Sequence, residues 1–228
     1  MTDAQVAIPW RPTPDRIPAF KRCTKYWRDH GFPVITADSD PSRPFLCNAG
    51  RNNAIAQVTT DVIISADGDT IPEDITQICQ AVEIVAEHPD TVVWPFTTYC
   101  YLFAWEVGHH DLSTARVVHA LDGMSAGIVV FSRATFADLG GYDEGFVPGA
   151  WGGDDRAFHL AAETLHPFCR LPGRVYSFDH SVSSVTRAGG ISSGRTMDEE
   201  NPNYARLQRY ESAAGDPVAM RELISERV

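Results

Sequence analysis

Short apolar runs and helical stripes alternate along the first 90 residues of the chain. The apolar runs at residues 6–8, 33–37 and 62–66 predict buried strands, because each run is short and ends in polar or proline-containing segments. Between the runs, apolar residues recur at spacings of three and four, which predicts helices. These helices are expected to begin with Pro14 or Pro18 in the first turn, at Asn48 and at Pro72-Glu73-Asp74. The alternation is typical of a parallel sheet covered by helices on both faces.

The second half of the chain has a less regular pattern. Apolar runs at residues 91–97, 127–131 and 174–178 predict three more strands. Ser132 is placed to cap a short helix that ends before Gly140 and Gly141. A further helix is expected after a glycine- and aromatic-rich loop, and one or two amphipathic helices at the C-terminus. Between the last strand and these final helices, residues 181–195 are rich in Ser and Gly, and we expect a mobile segment there.

Length and composition favour one soluble α/β domain. The chain has 228 residues, of which 43% are hydrophobic and 21% charged. Its longest apolar-leaning run, residues 91–105, contains Pro95 and is shorter than the roughly 20 residues that a membrane span needs. The N-terminus has neither a basic region nor an apolar stretch, so no secretory signal and a cytoplasmic location are expected.

The net charge bears on binding to nucleic acids, and the cysteine pattern bears on the redox state of the thiols. The net charge of -11 argues against non-specific binding to a polyanion, although arginines near the C-terminus leave room for a local basic groove. The five cysteines include no CxxC pair, and reduced thiols are expected.

Two carboxylates follow the third predicted strand. Asp67 and Asp69 are separated by Gly68, which lets the backbone turn tightly. Carboxylates this close repel each other unless a cation lies between them, and hard oxygen ligands suit Mg²⁺ or Mn²⁺. An Asp-Gly turn without a metal is the alternative interpretation.

Further acids and one histidine occur in the second half. Asp154 and Asp155 follow Gly152 and Gly153 at the start of a predicted helix, where they offer a general base beside an acceptor-binding group. The alternative is that they only complement the helix dipole. His180 follows the last predicted strand and has the chemistry of a metal ligand, though most single histidines have no such role.

Taken in order, these motifs resemble one family over roughly residues 5–180. The segments Pro9-Trp10-Arg11, Asn48-Ala49-Gly50-Arg51-Asn52 and Ala66-Asp67-Gly68-Asp69 look like the nucleotide-binding half of family 2-like GT-A glycosyltransferases. Gly140-Gly141-Tyr142-Asp143-Glu144 and Trp151-Gly152-Gly153-Asp154-Asp155 are similar to the acceptor half of galactosyltransferase and polypeptide N-acetylgalactosaminyltransferase catalytic domains. In this chain Asp154 replaces the glutamate that is usual at that position.

The resemblance implies a role for each motif residue. It implies that Asp155 is the general base if the enzyme inverts the anomeric configuration, with a retaining outcome left open, and that Asp154 contacts the acceptor. It implies that Mn²⁺ or Mg²⁺ is held by Asp67, Asp69 and His180. The residues implied to border the nucleotide-sugar are Pro9, Arg11, Asp38, Arg51, Asn52, Asp67 and Trp151.

The expected fold and function follow from this resemblance. We expect a GT-A fold, a Rossmann-like, mostly parallel sheet flanked by helices in a single domain. That domain would span residues 1–190, with a nucleotide-binding half to about residue 95 and an acceptor half over 96–190. A flexible segment and a C-terminal helical tail would follow over residues 191–228.

The expected activity is transfer of a sugar from a nucleotide-sugar, by default a UDP-sugar, to an acceptor hydroxyl. The acceptor stays open among a glycan, a protein and a hydroxylated DNA base, and residues 181–195 are a candidate acceptor lid. One alternative is a nucleotidyltransferase, but the segment 9–12 lacks the glycine- and lysine-rich loop of that class. The other is an inactive nucleotide- or carbohydrate-binding module.

Overall fold

The computed structural model describes residues 3–102, 112, 114–146, 152–178 and 201–227. These residues form strands and helices in an alternating order. The strands are β1 (Ala4–Pro9), β2 (Val34–Ala37), β3 (Val62–Ala66), β4 (Thr70–Pro72), β5 (Val92–Trp94), β6 (Thr98–Leu102), β7 (Val117–Asp122), β8 (Ile128–Ser132), β9 (Phe168–Arg170) and β10 (Arg174–Ser177). The helices are α1 (Ile17–Asp29), α2 (Cys47–Ile55), α3 (Ile75–Glu87), α4 (Arg133–Asp138), α5 (Asp154–Leu165), α6 (Tyr204–Ala213) and α7 (Pro217–Ser225).

A six-stranded sheet forms the centre of the molecule, with strand order β2-β1-β3-β8-β5-β9. Strand β1 pairs in parallel with β2 and β3, and β9 pairs in parallel with β5. Strand β8 runs antiparallel to both of its neighbours, β3 and β5. The α/β fold with a mostly parallel central sheet is therefore confirmed, and the antiparallel β8 comes from the second half of the chain.

A second, four-stranded sheet was not predicted from the sequence. Its order is β4-β10-β6-β7, and only the pairing of β10 with β6 is parallel. Strand β4 has three residues and follows directly on Asp69, so it carries too short a pattern to be recognised. The second sheet matters for the site because its β4 and β10 hold the chain immediately after the Asp67–Asp69 segment.

The core explains why the first strands read as continuous apolar runs. Residues Val6, Ile63 and Ile64 are fully buried, since both faces of the central sheet are covered by helices. Trp27 from α1 and Trp94 from β5 are also fully buried in this core.

Two helix starts follow the sequence signals. The Asp74 side chain caps α3 and forms a reciprocal capping box with Gln77. The Ser132 hydroxyl accepts a hydrogen bond from the Thr135 N–H at 3.0 Å and so caps α4, as predicted.

The C-terminal helices α6 and α7 pack into the same core as the sheet. Leu207 and Tyr210 of α6 and Met220 of α7 are buried there. From the sequence these helices were predicted to form a tail after residue 190, and in the structure both pack into the core. They pack there because each helix has an apolar stripe, which is removed from water only when it packs against another apolar surface.

Two further findings concern membranes and thiols. Within the described ranges, no helix has the length and apolar character needed to cross a bilayer. The five cysteines, all of which lie in those ranges, are unpaired.

Candidate active site

The predicted nucleotide-binding residues lie at the carboxyl ends of β1, β2 and β3. Pro9 ends β1, Asp38 directly follows β2, and Asp67 directly follows β3. Because these three strands are parallel neighbours, their carboxyl ends meet at one edge of the sheet. Open α/β sheets bind their ligands at that edge.

Gly68 is closely packed within the Asp67–Asp69 segment. A Cβ at this position would lie 3.3 Å from the Phe20 ring and 3.4 Å from the Trp10 ring. These two rings are stacked with centroids 3.8 Å apart. An added Cβ would therefore require the two rings or the Asp67–Asp69 backbone to shift by a few tenths of an ångström.

Arg51 brings the acids of the two halves together. Its guanidinium contacts Asp67 at 2.8 Å, Asp155 at 2.9 Å and Asp154 at 3.4 Å. Its side chain is only 6% exposed, and it lies over the Tyr142 ring at 4.9 Å. Asp67 directly follows β3, and Asp154 lies in the first turn of α5, 87 residues later in the sequence. The Arg51 guanidinium joins these two segments.

The crowding of acids raises the pKa of two of them. Burial is the main cause that raises the pKa of Asp155 to about 7; nearby Asp154 and Asp67 add to the rise and Arg51 opposes it. Burial likewise raises the pKa of Asp67, with Asp69 adding and Arg51 opposing. Asp155 therefore titrates near neutral pH, where a general base is most effective.

Asp69 lies on the other side of Gly68 and has different neighbours. Its carboxylate is 3.7 Å from the Arg16 guanidinium and accepts a hydrogen bond from the Thr70 hydroxyl at 3.2 Å. Its carbonyl oxygen accepts a hydrogen bond from the Phe178 N–H at 2.8 Å. The chain after β10 is thus attached beside Asp69, two residues before His180, which lies outside the described residues.

The carboxylates of Asp67 and Asp69 could supply part of the ligand set of a hard divalent cation. Asp67 and Asp69 supply carboxylate oxygens of the kind that Mg²⁺ and Mn²⁺ prefer. No cluster of three or more His, Cys, Asp or Glu side chains that could hold a metal exists among the described residues. Two protein ligands can suffice for such ions, which keep several water or phosphate ligands.

Arg11 donates hydrogen bonds to the loop that follows β2. Its Nε donates to both Asp38 carboxylate oxygens at 3.0 and 2.8 Å. Its other nitrogens donate to the carbonyl oxygens of Arg43 at 2.7 Å and Asp40 at 2.8 Å. Arg11 therefore fixes the loop 38–46 and orients Asp38 at the sheet edge.

Asn52 and Asn48 hold the loop 140–146 against α2. The Asn52 amide accepts from the Tyr142 N–H and donates to the Tyr142 carbonyl, both at 2.9 Å. The Asn48 amide donates to the Asp143 carbonyl at 2.7 Å and accepts from Arg51 at 3.2 Å. These bonds connect the Gly-Gly-Tyr-Asp-Glu motif to the Asn-Ala-Gly-Arg-Asn motif.

Comparison with known proteins supports the same fold. The chain is similar to the crystal structure of GalNAc-T7 with UDP, GalNAc and Mn²⁺, with 12% identity and a TM-score of 0.55 over 97% of this chain and 47% of that one. It has the GT-A glycosyltransferase fold. A family model described as the N-terminal domain of galactosyltransferase matches residues 108–181 of this GT-A chain, which include Asp154 and Asp155.

Two structures of Drosophila beta-1,4-galactosyltransferase 7 are also similar. One is a mutant in complex with manganese, UDP-Gal and xylobiose, with 14% identity and a TM-score of 0.45. The other is the catalytic domain with xylobiose, with 15% identity and a TM-score of 0.43. Each comparison covers 76% of this GT-A chain and 65% of the other chain. Among curated proteins, no sequence matches it.

Most of the predicted site residues of this GT-A chain come together. Pro9, Asp38, Arg51, Asp67, Asp69, Asp154 and Asp155 are at the sheet edge or joined to it through Arg51. The contacts of Arg11 and Asn52 are with protein loops. The roles of all these residues toward a ligand stay predictions. Trp151 and His180 lie outside the described residues, as does the candidate lid at 181–195.

Asn48 and Asp143 were not predicted from the sequence as residues that support the candidate site. Both were part of quoted motifs, but single polar residues inside a motif carry no signal for a contact between segments 95 positions apart. Only the packing of α2 against the loop 140–146 shows that they meet.

Proposed function

We propose that this chain is a glycosyltransferase that moves a sugar from a nucleotide-sugar donor, most simply a UDP-sugar, to an acceptor hydroxyl. The observation that carries the proposal is the meeting of Asp67, from the nucleotide-binding half, with Asp154 and Asp155, from the acceptor half, around Arg51. A transferase needs donor and acceptor groups in contact, and this arrangement provides both at the ligand-binding edge of the sheet.

Asp155 is the general base in this proposal. Its raised pKa of about 7 lets the carboxylate accept a proton from the attacking hydroxyl at neutral pH. The bond from the acceptor oxygen to the anomeric carbon forms as the bond from that carbon to the diphosphate oxygen breaks. The hydroxyl proton passes to Asp155, and the nucleoside diphosphate leaves with the electron pair.

Arg51 and Asp154 prepare this step. Arg51 holds Asp155 at 2.9 Å and so limits the directions in which the carboxylate can face. Asp154, on the same first turn of α5, is proposed to accept a hydrogen bond from a second acceptor hydroxyl. Holding the acceptor in this way supplies much of the rate enhancement in a two-substrate reaction.

A divalent cation is proposed to bind at Asp67 and Asp69, with His180 as the further ligand implied by the family resemblance. Mn²⁺ or Mg²⁺ would stabilise the charge that develops on the departing diphosphate. The backbone at Gly68 keeps the two carboxylates at the sheet edge, while Arg16 lies 3.7 Å from Asp69 as a second cationic group.

The nucleotide is proposed to lie over the carboxyl ends of β1 and β2. Pro9 and the loop 38–46, which Arg11 fixes, border this surface, and Asp38 is the side chain that would accept hydrogen bonds from the base. Arg51 and Asn52 would lie on the diphosphate side, and Trp151 would wall the sugar pocket. The acceptor is a glycan, a protein side chain or a hydroxylated DNA base, and a cytoplasmic location stays an expectation.

The test is turnover of a panel of UDP-, GDP- and TDP-sugars with Mn²⁺, with and without chelator. We expect chelator-sensitive release of one nucleoside diphosphate by the natural protein and its loss in Asp69→Ala. Asp29→Ala is the matched control, because Asp29 is an exposed aspartate whose partner is the neighbouring Lys25. It should keep full turnover.

The other outcomes separate the rival functions. Release of pyrophosphate from a nucleoside triphosphate and a sugar phosphate would establish a nucleotidyltransferase instead. Binding of a nucleotide-sugar without turnover under either metal would establish a non-catalytic module. Retention of full turnover in Asp69→Ala would overturn the assignment of the metal site.

A further inference from the structure

A buried carboxylate joins the C-terminal helix α6 to the loop 140–146. Asp143 is 6% exposed and accepts hydrogen bonds from Arg206 at 2.7 and 2.6 Å, from the Tyr210 hydroxyl at 2.7 Å and from the Gly145 N–H at 2.9 Å. Burial alone would raise the pKa of Asp143, but the bonds from Arg206 and Tyr210 keep it below its ordinary value. The carboxylate is therefore ionised and fully paired, which makes the contact costly to break.

The lack of a side chain at Gly145 leaves space for the ion pair between Arg206 and Asp143. A Cβ at Gly145 would lie 2.0 Å from the Arg206 guanidinium carbon and 2.2 Å from Nη2. Any side chain at this position would move the guanidinium away from Asp143. The glycine and the ion pair are thus parts of one arrangement.

The same loop residue is connected to Arg51 by its backbone. The Asp143 carbonyl accepts from Asn48, which is 1% exposed, and the Asn48 side-chain oxygen accepts from Arg51 at 3.2 Å. The preceding residue, Tyr142, places its ring beneath the Arg51 guanidinium. A shift of the loop would therefore move two of the groups that hold Arg51 in place.

Helix α6 also contacts the turn before α5. Asn203, at the N-cap of α6, is 2% exposed and donates to the Gly152 carbonyl at 3.2 Å. Gly152 and Gly153 both have positive φ, and Asp154 and Asp155 follow them directly. One helix thus supports both segments that surround Arg51.

We propose that α6 positions the catalytic acids: Arg206 fixes Asp143, and Asp143 fixes Arg51 among Asp67, Asp154 and Asp155 through Asn48 and Tyr142. This inference rests on the proposed function for its kinetic consequence. Arg206 is 31% exposed in its side chain, lies on a C-terminal helix and acts as a positioning residue only.

The test compares Arg206→Met with Arg209→Met. Both remove one guanidinium from α6, but Arg209 pairs with Glu226 at the surface and has no contact with Asp143 among its described bonds. We expect Arg206→Met to lower kcat about 10- to 100-fold with a much smaller change in donor KM, as small displacements of catalytic groups do. Arg209→Met should keep the natural kcat.

A double-mutant cycle separates positioning from loss of stability. If Arg206 acts through Asn48, then Arg206→Met combined with Asn48→Ala should lower kcat no more than the larger single effect. Independent structural damage would instead multiply the two effects. Gly145→Ala, which displaces Arg206 without removing it, serves as the second variant and should lower kcat in the same direction if Arg206→Met fails to fold.

A measurement that does not depend on turnover can test whether α6 positions Arg51 even if the proposed function is wrong. The Arg51 side-chain signal in a ¹⁵N–¹H spectrum, assigned by its loss in Arg51→Lys, should shift or broaden in Arg206→Met and stay unchanged in Arg209→Met. An unchanged Arg51 signal in Arg206→Met, or equal kcat for the two arginine variants, would overturn the inference. Absence of turnover in the natural protein would overturn the proposed function, while the spectrum would still decide whether α6 positions Arg51.

Discussion

Replacing Arg51 by methionine should make the stability of the protein strongly dependent on pH. The guanidinium is the shared partner of Asp67, Asp154 and Asp155 at 2.8–3.4 Å, and its side chain is 6% exposed. Removing one member of a buried ion cluster costs about 3–5 kcal/mol, because the remaining charges lose their partner without regaining water. For a domain of this size, that corresponds to a fall in Tm of roughly 6–20 °C.

The sign of the pH dependence follows from the raised pKa values. In the natural protein the pKa of Asp155 is about 7 and that of Asp67 is also raised, so the folded state binds more protons than the unfolded state. Stability then falls as pH rises from the unfolded pKa of about 4 through the folded pKa. Without Arg51 both folded pKa values rise further, so the variant goes on losing stability above pH 7 where the natural protein does not.

Urea unfolding at pH 5.5 and pH 8.5, followed by the fluorescence of the buried tryptophans, would measure the effect. The gap between the natural protein and Arg51→Met should be about 3–5 kcal/mol at pH 8.5 and clearly smaller at pH 5.5. Arg221→Met is the control, since its ion pair with Asp138 is half exposed and should contribute little at either pH. A gap that is equal at the two pH values, or no larger than that of the control, would refute the role given to the acid cluster.

Three further substitutions test separate parts of the structure. Asp155→Asn should lower kcat about 10²- to 10⁴-fold, and the rise of kcat/KM with unit slope below pH 7 that is expected of the natural protein should be absent from its pH profile; a profile that is flat in the natural protein would contradict the base assignment. Gly127→Ala should destabilise the fold by about 1–3 kcal/mol more than Gly123→Ala, since both glycines have positive φ but only at Gly127 would a Cβ meet the Tyr99 ring, at 2.7 Å, as chemical denaturation of both variants can check. Ser132→Ala should cost about 1 kcal/mol through loss of the α4 cap, while Ser132→Thr should retain most of it, and equal losses in the two variants would contradict the cap.

Much of the structure of the first 90 residues could be predicted because its sequence signals are local. The strands β1, β2 and β3 are short apolar runs, and helices α1 and α3 carry continuous apolar stripes with recognisable ends. These inferences need only the order of elements along the chain. In the structure, the parallel pairing of these strands brings their carboxyl ends, with Asp38 and Asp67, to one edge of the sheet.

The second sheet and the C-terminal packing could not be predicted in the same way. Strand β4 has three residues, and β6 and β7 are defined by pairing with each other and with β10 rather than by alternation. Helices α6 and α7 were visible as amphipathic segments, but an apolar stripe does not say which surface it covers. Their partner is chosen by the shape of the assembled core.

By itself, the sequence determined the residue types of the candidate site and the strands that Asp38 and Asp67 follow. Only the tertiary structure decided that a single buried cation, Arg51, would join Asp67 to Asp154 and Asp155. The physical reason is that charge pairing at about 3 Å depends on distances between segments far apart in sequence, which no local pattern encodes. The support of that cation by Asp143 and α6 is likewise a property of the fold.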